Sequence, residues 1–155
     1  NQFANEDNWK AHYKTTGPEI WRDTNGEITH FVSAMGTTGT VMGTSTFLKE
    51  KNKNIQIIGA QPTNNSRIPG IRKWSPEFLP KIFNPKKVDT VIEVSETEAR
   101  EMTKRLAKEE GIFAGMSSGG AVTAAIKLSE TIEKGIIVAI ICDRGDRYLS
   151  SDLFK

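Results

Sequence analysis

The stretch SAMGTTGTVMG at residues 33–43 decides both the fold and the candidate site of this chain. Apolar and β-branched residues predict a strand over 28–33, and the residues that follow the glycines predict a helix over 41–51. A strand that ends in glycines and hydroxyls and then opens a helix is typical of an anion-binding loop, because converging backbone N–H groups and the helix N-terminus attract negative charge. We therefore expect a phosphate to bind this loop, which consists of Gly36, Thr37, Thr38, Gly39 and Thr40.

The spacing within the loop argues against the common nucleotide-binding motifs. No Gly-Lys-Ser/Thr follows, the glycines do not form Gly-x-Gly-x-x-Gly, and the next predicted strand ends at Ala60 rather than at an acidic residue. A monophosphate or a phosphate-bearing cofactor fits the loop better. A plain tight turn between strand and helix is the alternative reading.

The rest of the chain alternates between predicted strands and helices. Further strands are expected over 55–60, 90–94 and 136–142, and the last of these is the most apolar run, as in a central strand. Further helices are expected from Thr16 to Asn25-Gly26, from Ser95 to Glu110, and over 121–130. This order predicts an α/β fold, with an open, mostly parallel sheet, helices on both faces and a right-handed β–α–β unit around the glycine loop.

Capping boxes mark the first two of these helices. Thr16 with Glu19, and Ser95 with Glu98, each form the pattern Ser/Thr-x-x-Glu. Residues 1–13 before them are polar and mixed, with a turn expected over 5–8.

Residues 62–85 form a long stretch without periodicity that contains five of the six prolines. Its aromatic and aliphatic content argues against disorder, so we expect an ordered loop that packs on the body or on a partner subunit. With this loop included, residues 1–155 are expected to form a single α/β domain.

Two further polar segments follow predicted strands or extended runs, Ser117-Ser118-Gly119-Gly120 and residues 143–146. Ligands of open α/β sheets bind at the carboxyl ends of the strands, so these segments and the glycine loop are expected to line one crevice. Ser118 can equally be a helix N-cap. Asp143 is placed either to meet a heterocyclic nitrogen or to pair with Arg144 or Arg147, and Cys142 is either a ligand contact or a small buried apolar residue.

Composition excludes several classes of protein. The 21 Lys and Arg residues against 19 Asp and Glu give a net charge of +2, too even and too dispersed for a nucleic-acid-binding protein. No run reaches the roughly 18 apolar residues of a membrane span, and His12 and His30 lack the spacing of a metal site. The single cysteine, Cys142, excludes an internal disulfide and suits a reducing cytoplasm. We therefore expect a cytoplasmic protein.

Several motifs together resemble the cysteine synthases, or O-acetylserine sulfhydrylases, which are pyridoxal-phosphate enzymes of the tryptophan-synthase-β fold type. In the B type of that family, as here, Cys142-Asp143-Arg144 stands where the A type typically has a serine pair. The similarity covers essentially the whole chain and implies the large C-terminal domain of a fold-type II pyridoxal-phosphate enzyme. The other motifs, in chain order, are Gly36-Thr37-Thr38-Gly39-Thr40, Ile68-Pro69-Gly70-Ile71-Arg72, Gly111-Ile112-Phe113, Ser117-Ser118-Gly119-Gly120-Ala121 and Gly145-Asp146-Arg147-Tyr148-Leu149-Ser150.

The resemblance implies an activity and a role for each matched residue. The family makes L-cysteine from O-acetylserine, with sulfide or thiosulfate as the sulfur donor, and is commonly homodimeric. Residues 36–40 would hold the phosphate of pyridoxal 5′-phosphate, and Ser117 would line the cofactor pocket. Asp143, or in second place Cys142, would stand beside the pyridine nitrogen, and Arg72 would lie near the entrance for the substrate.

The resemblance also leaves a gap. The Schiff-base lysine and the Thr-Ser-Gly-Asn-type substrate loop of the family have no matching motif in residues 1–155, so no catalytic residue is assigned here. We expect the chain to be the C-terminal half of a two-domain enzyme and to be inactive without the N-terminal half. The alternatives are another enzyme of the same fold type, such as cystathionine β-synthase or a serine or threonine dehydratase, and an inert chain that binds phosphate or a partner.

Overall fold

A computed structural model describes residues 1–154 as one parallel sheet with helices packed on it. The strands are β1 (His30–Ala34), β2 (Gln56–Pro62), β3 (Thr90–Val94) and β4 (Ile137–Ala139), in the spatial order β3-β2-β1-β4 with every pair parallel. The helices are α1 (Asp7–Lys14), α2 (Thr16–Asp23), α3 (Gly39–Lys51), α4 (Glu96–Glu109) and α5 (Met116–Ser129). The predicted α/β class and parallel sheet are confirmed.

Two apolar cores cover the two faces of the sheet. Phe31 and Ile57 pack with Val41 and Leu48 of α3 in one core, and their neighbours in the strands point into the other core with α4 and α5. Two neighbours in one strand, such as Phe31 and Val32, are therefore both buried, because a parallel strand between two helical layers has no face toward solvent. The predicted helices on both faces are therefore confirmed.

The β1–α3–β2 unit places the glycine loop at the carboxyl end of β1. Val32 pairs with Ile58 in register, and α3 packs against both strands. The helix begins at Gly39, two residues before the predicted start, so two loop residues belong to its first turn.

The predicted central strand over 136–142 is wrong in place and length. Only Ile137–Ala139 are in strand conformation, and β4 pairs with β1 alone, at the edge of the sheet of described residues. Ile136 and Ile141, which flank it, are 40% and 44% exposed. The apolarity of a run predicts that its side chains are buried. It does not predict how many strands pair with that run.

The N-terminal region contains a helix that the sequence reading missed. The expected turn over 5–8 is present, with the Asn8 N–H donating to the Asn5 carbonyl at 3.2 Å, but it leads into α1, which begins at Asp7 and runs almost directly into α2. The predicted capping box at Thr16 is wrong, because the Thr16 hydroxyl bonds to His12 of α1 instead, with Oγ1 2.8 Å from Nδ1. The predicted end of this helix is confirmed, since Asn25 and Gly26 take left-handed backbone angles of 51° and 73° in φ.

The proline-rich segment after β2 packs its apolar residues onto the body. Ile68 and Ile71 are buried in the core that faces α4 and α5. Two single-turn 3-10 helices, Pro76–Phe78 and Pro85–Lys87, are its regular parts. The capping box of α4 is present as predicted, with Ser95 and Glu98 bonded to each other's backbone N–H groups. Within residues 1–154, none of the helices has the length and apolarity that a membrane crossing needs.

Candidate functional site

The glycine loop changes direction at Thr38, which has a φ of 72°. Positive φ is a true outlier for a β-branched residue, and such strain persists where the surroundings enforce it, often at functional sites. The turn leads directly into α3, whose first N–H groups have no acceptor within the helix. The loop therefore combines free backbone donors with the positive end of the helix dipole.

The Thr38 hydroxyl is the clearest sign that the loop binds a ligand. The residue is 3% exposed, and its Oγ1 has no hydrogen-bond partner within residues 1–154. Leaving such a group unsatisfied costs about 1–3 kcal/mol, a cost that an oxygen-rich anion at the loop removes. The loop residues therefore fit a bound phosphate.

The other two threonines of the loop bond to α1. Thr37 Oγ1 lies 3.1 Å from Asn8 Nδ2, and Thr40 Oγ1 lies 3.3 Å from His12 Nε2. Burial lowers the pKa of His12, so its imidazole is neutral at pH 7. Asn8 and His12 were not identified from the sequence, although their i, i+4 spacing would have placed them on one face of a helix.

The Ile-Pro-Gly-Ile segment forms a second wall beside the loop. Trp74 Nε1 donates to the Gly36 carbonyl at 2.9 Å, and the Arg72 N–H donates to the Met35 carbonyl at 2.9 Å. Gly70 has a φ of 87°, and a Cβ added to it would lie 3.1 Å from Ser117 Cβ. The structure thus brings together the loop, the segment around Gly70 and the start of α5.

The expectation that Ser117-Ser118-Gly119-Gly120 is a loop after a strand is wrong, because all four residues lie in the first turns of α5. Ser118 is not the N-cap either, since Gly115 takes that position. A Cβ on Gly119 would overlap backbone and side-chain atoms of α4, and a Cβ on Gly120 would lie 2.6 Å from Ile71 Cδ1. These glycines serve close packing, and Ser117 alone of the segment is placed toward Gly70.

The chain after β4 approaches the same helix start. Ser118 Oγ accepts a hydrogen bond from the Cys142 N–H at 2.9 Å. Protein atoms crowd the thiol of Cys142, and this burial raises the pKa of the thiol although the residue has exposed surface. At neutral pH Cys142 therefore stays a protonated thiol.

Asp143 has a partner that the sequence reading did not consider. Its Oδ2 accepts the Tyr148 hydroxyl at 2.6 Å, whereas the Arg144 guanidinium bonds to Asp146 at 3.0 Å. Burial and the hydrogen bond to Asp143 raise the pKa of Tyr148 to about 12. The second carboxylate oxygen, Oδ1, is buried and has no hydrogen-bond partner among the described residues.

A cavity of about 790 Å³ adjoins the loop at Gly70 and Trp74. Arg72 lines it, and the Arg72 guanidinium lies 5.6 Å from the centre of the Trp74 ring. Residues 36–40 do not line this cavity, so it is a neighbouring space rather than the loop site itself. In the part of the chain that the structure describes, no three His, Cys, Asp or Glu side chains are grouped as metal ligands.

Comparison with known proteins gives a consistent result. Residues 1–143 match the sequence profile described as pyridoxal-phosphate dependent enzyme. The chain is 60% identical to cysteine synthase B of Pseudomonas aeruginosa, over 99% of the chain and 51% of that protein. It is 54% identical to cysteine synthase B of Escherichia coli K12, over 99% of the chain and 50% of that protein. The chain thus spans about half the length of the curated relatives it matches.

Solved structures agree with the sequence comparison. A cysteine synthase from Entamoeba histolytica has a TM-score of 0.90 at 41% identity, covering 99% of this chain and 48% of that one. O-ureido-L-serine synthase also has a TM-score of 0.90, at 34% identity, covering 99% of this chain and 51% of that one.

Proposed function

Because this chain belongs to the family of pyridoxal-phosphate dependent enzymes, we propose that it is the cofactor-anchoring part of a cysteine synthase of the B type. The proposed reaction makes L-cysteine from O-acetylserine, with sulfide or thiosulfate as the sulfur donor. The identities of 54–60% to proteins named cysteine synthase B, against 34% for O-ureido-L-serine synthase, favour this substrate choice.

The observation that carries the proposal is the unpartnered Thr38 hydroxyl in a strained loop at the start of α3. In the proposal, the hydroxyls of Thr37, Thr38 and Thr40 donate to the cofactor phosphate. The backbone N–H groups of Gly36 and Thr40 surround the same anion, and the α3 dipole stabilises its charge.

The proposed cofactor supplies an electron sink for negative charge on the substrate's α-carbon, and this chain anchors and orients it. In the proposal, Ser117 at the start of α5 lines the cofactor pocket, next to Gly70. Asp143 is the proposed partner of the ring nitrogen, with Cys142 as second choice, because Asp143 Oδ1 still lacks a partner. Tyr148 bonds to the other oxygen and holds the carboxylate in one orientation.

Arg72 is proposed to act at the substrate entrance. Its guanidinium lines the 790 Å³ cavity and stacks near Trp74, where it attracts the carboxylate of an incoming amino acid. A stacked guanidinium keeps its charge and its forked donors available.

The covalent bond to the cofactor is proposed to come from a lysine outside residues 1–155. Lys73, which lines the cavity, bonds to Glu93 and Asn64 instead. The proposal therefore includes a partner, which corresponds to the half of the relatives' length that this chain does not span. It assigns no catalytic residue to residues 1–155.

The proposed setting is a homodimer in the cytoplasm. Exposed Phe78 and Leu79 on the segment after Trp74 support a contact with a second copy. Cysteines stay reduced in the cytoplasm, so the free thiol of Cys142 supports the cytoplasmic location.

The proposal is tested by Thr38→Val in the full-length protein, assayed both for cysteine formation and for binding of pyridoxal 5′-phosphate. A hydrogen bond to a charged group contributes about 1.5–3 kcal/mol, so we expect affinity to fall about 10- to 100-fold. The affinity for pyridoxal, which lacks the phosphate, should not change.

Thr44→Val is the matched control. Thr44 lies in α3, the helix that follows Thr38, is fully buried and also has an Oγ1 without a partner among the described residues, yet it lies outside the loop. We expect this variant to bind the cofactor normally. Equal affinity of the wild type and Thr38→Val for pyridoxal 5′-phosphate would refute the phosphate site, and a full-length wild-type protein that forms no cysteine would refute the activity.

A further inference from the structure

The side chain of Asn8 connects the start of the chain with the glycine loop. Asn8 Nδ2 lies 2.6 Å from the Gln2 carbonyl oxygen and 3.1 Å from Thr37 Oγ1. A backbone carbonyl only accepts hydrogen bonds, so the amide group that faces it must be the NH2. The contact to Gln2 thereby fixes the orientation of the Asn8 amide, and Thr37 Oγ1 must accept from Asn8.

The Thr37 hydroxyl receives a second hydrogen bond from within the loop. The Gly39 N–H donates to Thr37 Oγ1 at 3.3 Å. A hydroxyl has two acceptor lone pairs and one hydrogen. Because Asn8 and Gly39 occupy both lone pairs, the Thr37 hydroxyl has only its hydrogen left to offer.

Close packing holds Asn8 in this position. A Cβ added to Gly39 would overlap the Asn8 carboxamide, with Asn8 Cγ only 2.5 Å away. Asn8 also lies in the first turn of α1, one turn before His12, which bonds to Thr40. The two side chains thus contact two loop hydroxyls from one face of one helix.

We propose that Asn8 is a positioning residue that fixes the Thr37 hydroxyl as a hydrogen-bond donor to the phosphate of the bound cofactor. This inference rests on the proposed function. Phosphate oxygens accept hydrogen bonds, so a hydroxyl whose lone pairs are both occupied is oriented as a donor before the ligand arrives. Asn8 acts through Thr37 and does not itself touch the phosphate.

A double-mutant cycle between Asn8 and Thr37 tests the proposal. The full-length apo-protein is titrated with pyridoxal 5′-phosphate for wild type, Asn8→Ala, Thr37→Val and the double variant. We expect Asn8→Ala to weaken binding about three- to tenfold and Thr37→Val about tenfold or more. The double variant should bind within about twofold of Thr37→Val, because Asn8 has nothing left to orient.

Three controls separate this positioning role from general damage. Asn8→Ala in a Thr40→Val background should keep its full effect, since Thr40 has a different α1 partner. Asn52→Ala, at a half-buried asparagine far along α3 whose side chain accepts from the nearby Asn54 N–H, should leave affinity unchanged. Pyridoxal without its phosphate should bind wild type and Asn8→Ala equally, an outcome that loss of structure would not produce.

The outcomes distinguish this inference from the proposed function. Unchanged binding of pyridoxal 5′-phosphate by Thr38→Val refutes the phosphate site itself, because the site requires Thr37→Val and Thr38→Val to weaken binding. If they weaken binding but the Asn8 and Thr37 effects simply add, the site stands and the role of Asn8 is overturned. Should Asn8→Ala fail to fold, Asn8→Ser, whose hydroxyl is too short to bridge Gln2 and Thr37, takes its place in the same cycle.

Discussion

Gly36 lets two segments of the site approach more closely than a side chain would permit. A Cβ at this position would lie 2.6 Å from the Gly70 carbonyl oxygen, which is backbone and cannot rotate away. We predict that Gly36→Ala separates the glycine loop from the Ile-Pro-Gly-Ile segment. The expected loss of stability is about 1–3 kcal/mol, measured by urea unfolding, together with weaker binding of pyridoxal 5′-phosphate.

Gly111→Ala is the matched glycine control. Gly111 has a φ of 68°, but nothing lies within 4 Å of an added Cβ. Its replacement should cost about 1 kcal/mol through backbone strain alone and leave cofactor affinity unchanged. If both variants weaken binding of the cofactor equally, the close approach of Gly36 and Gly70 does not determine the shape of the site.

Glu98 stabilises the N-terminus of helix α4. Burial alone would raise the pKa of Glu98, but hydrogen bonds from Lys127 and Ser95 outweigh it and lower the pKa to about 2. A carboxylate with a depressed pKa in the folded state stabilises the protein above its ordinary pKa near 4.5. That contribution is lost as the pH falls from about 4.5 toward 2.

We predict that Glu98→Gln destabilises the protein at pH 7 by about 0.3–1 kcal/mol, because Gln can still accept the hydrogen bond from the Ser95 N–H but lacks the negative charge that stabilises the first turn of a helix. The ion pair with Lys127 adds little, since both side chains are more than a third exposed. Urea unfolding at pH 7 and at pH 3 should show the difference between wild type and variant shrinking at the lower pH. A difference that is equal at both values would contradict the role assigned to the ionised carboxylate.

Glu109→Gln serves as the control for this comparison. Glu109 lies in the last turn of the same helix and pairs with Arg105 on the exposed surface. Exposed i, i+4 pairs contribute little, so this variant should unfold almost like wild type at both pH values.

The elements also show which features a sequence can predict. The β1–α3–β2 unit and the α4 cap depend on neighbours in the chain, and both were predicted. The edge position of β4 and the glycines inside α5 depend on what packs against them from distant segments. Gly119, for example, meets α4, a contact that no local pattern records.

The residues of the candidate site also differ in whether the sequence alone can predict them. The loop residues 36–40 are contiguous, so their glycines and hydroxyls could be recognised together. Asn8 and His12 reach the site from α1, and Tyr148 reaches it from the segment after β4, through side-chain contacts. Their roles depend on which hydroxyl or carboxylate they meet, and that information exists only in the folded chain.

Several large apolar side chains of the molecule remain exposed, although both faces of the sheet are covered. Leu79 and Val91 are 41% and 44% exposed. Phe78, next to Leu79, is 70% exposed. This Phe78–Leu79–Val91 patch is where the proposed homodimer would bury apolar surface.

We predict that Phe78→Ser with Leu79→Ser raises the dimer dissociation constant of the full-length protein at least about tenfold, because buried anchors of this size commonly contribute more than 1 kcal/mol each. Sedimentation equilibrium over a concentration series measures the constant. Leu149→Ser is the matched control, since Leu149 is 64% exposed but lies outside the patch. Equal dissociation constants for wild type and the double variant would place the dimer contact on another surface, and a wild-type protein that sediments as a monomer would refute the homodimer.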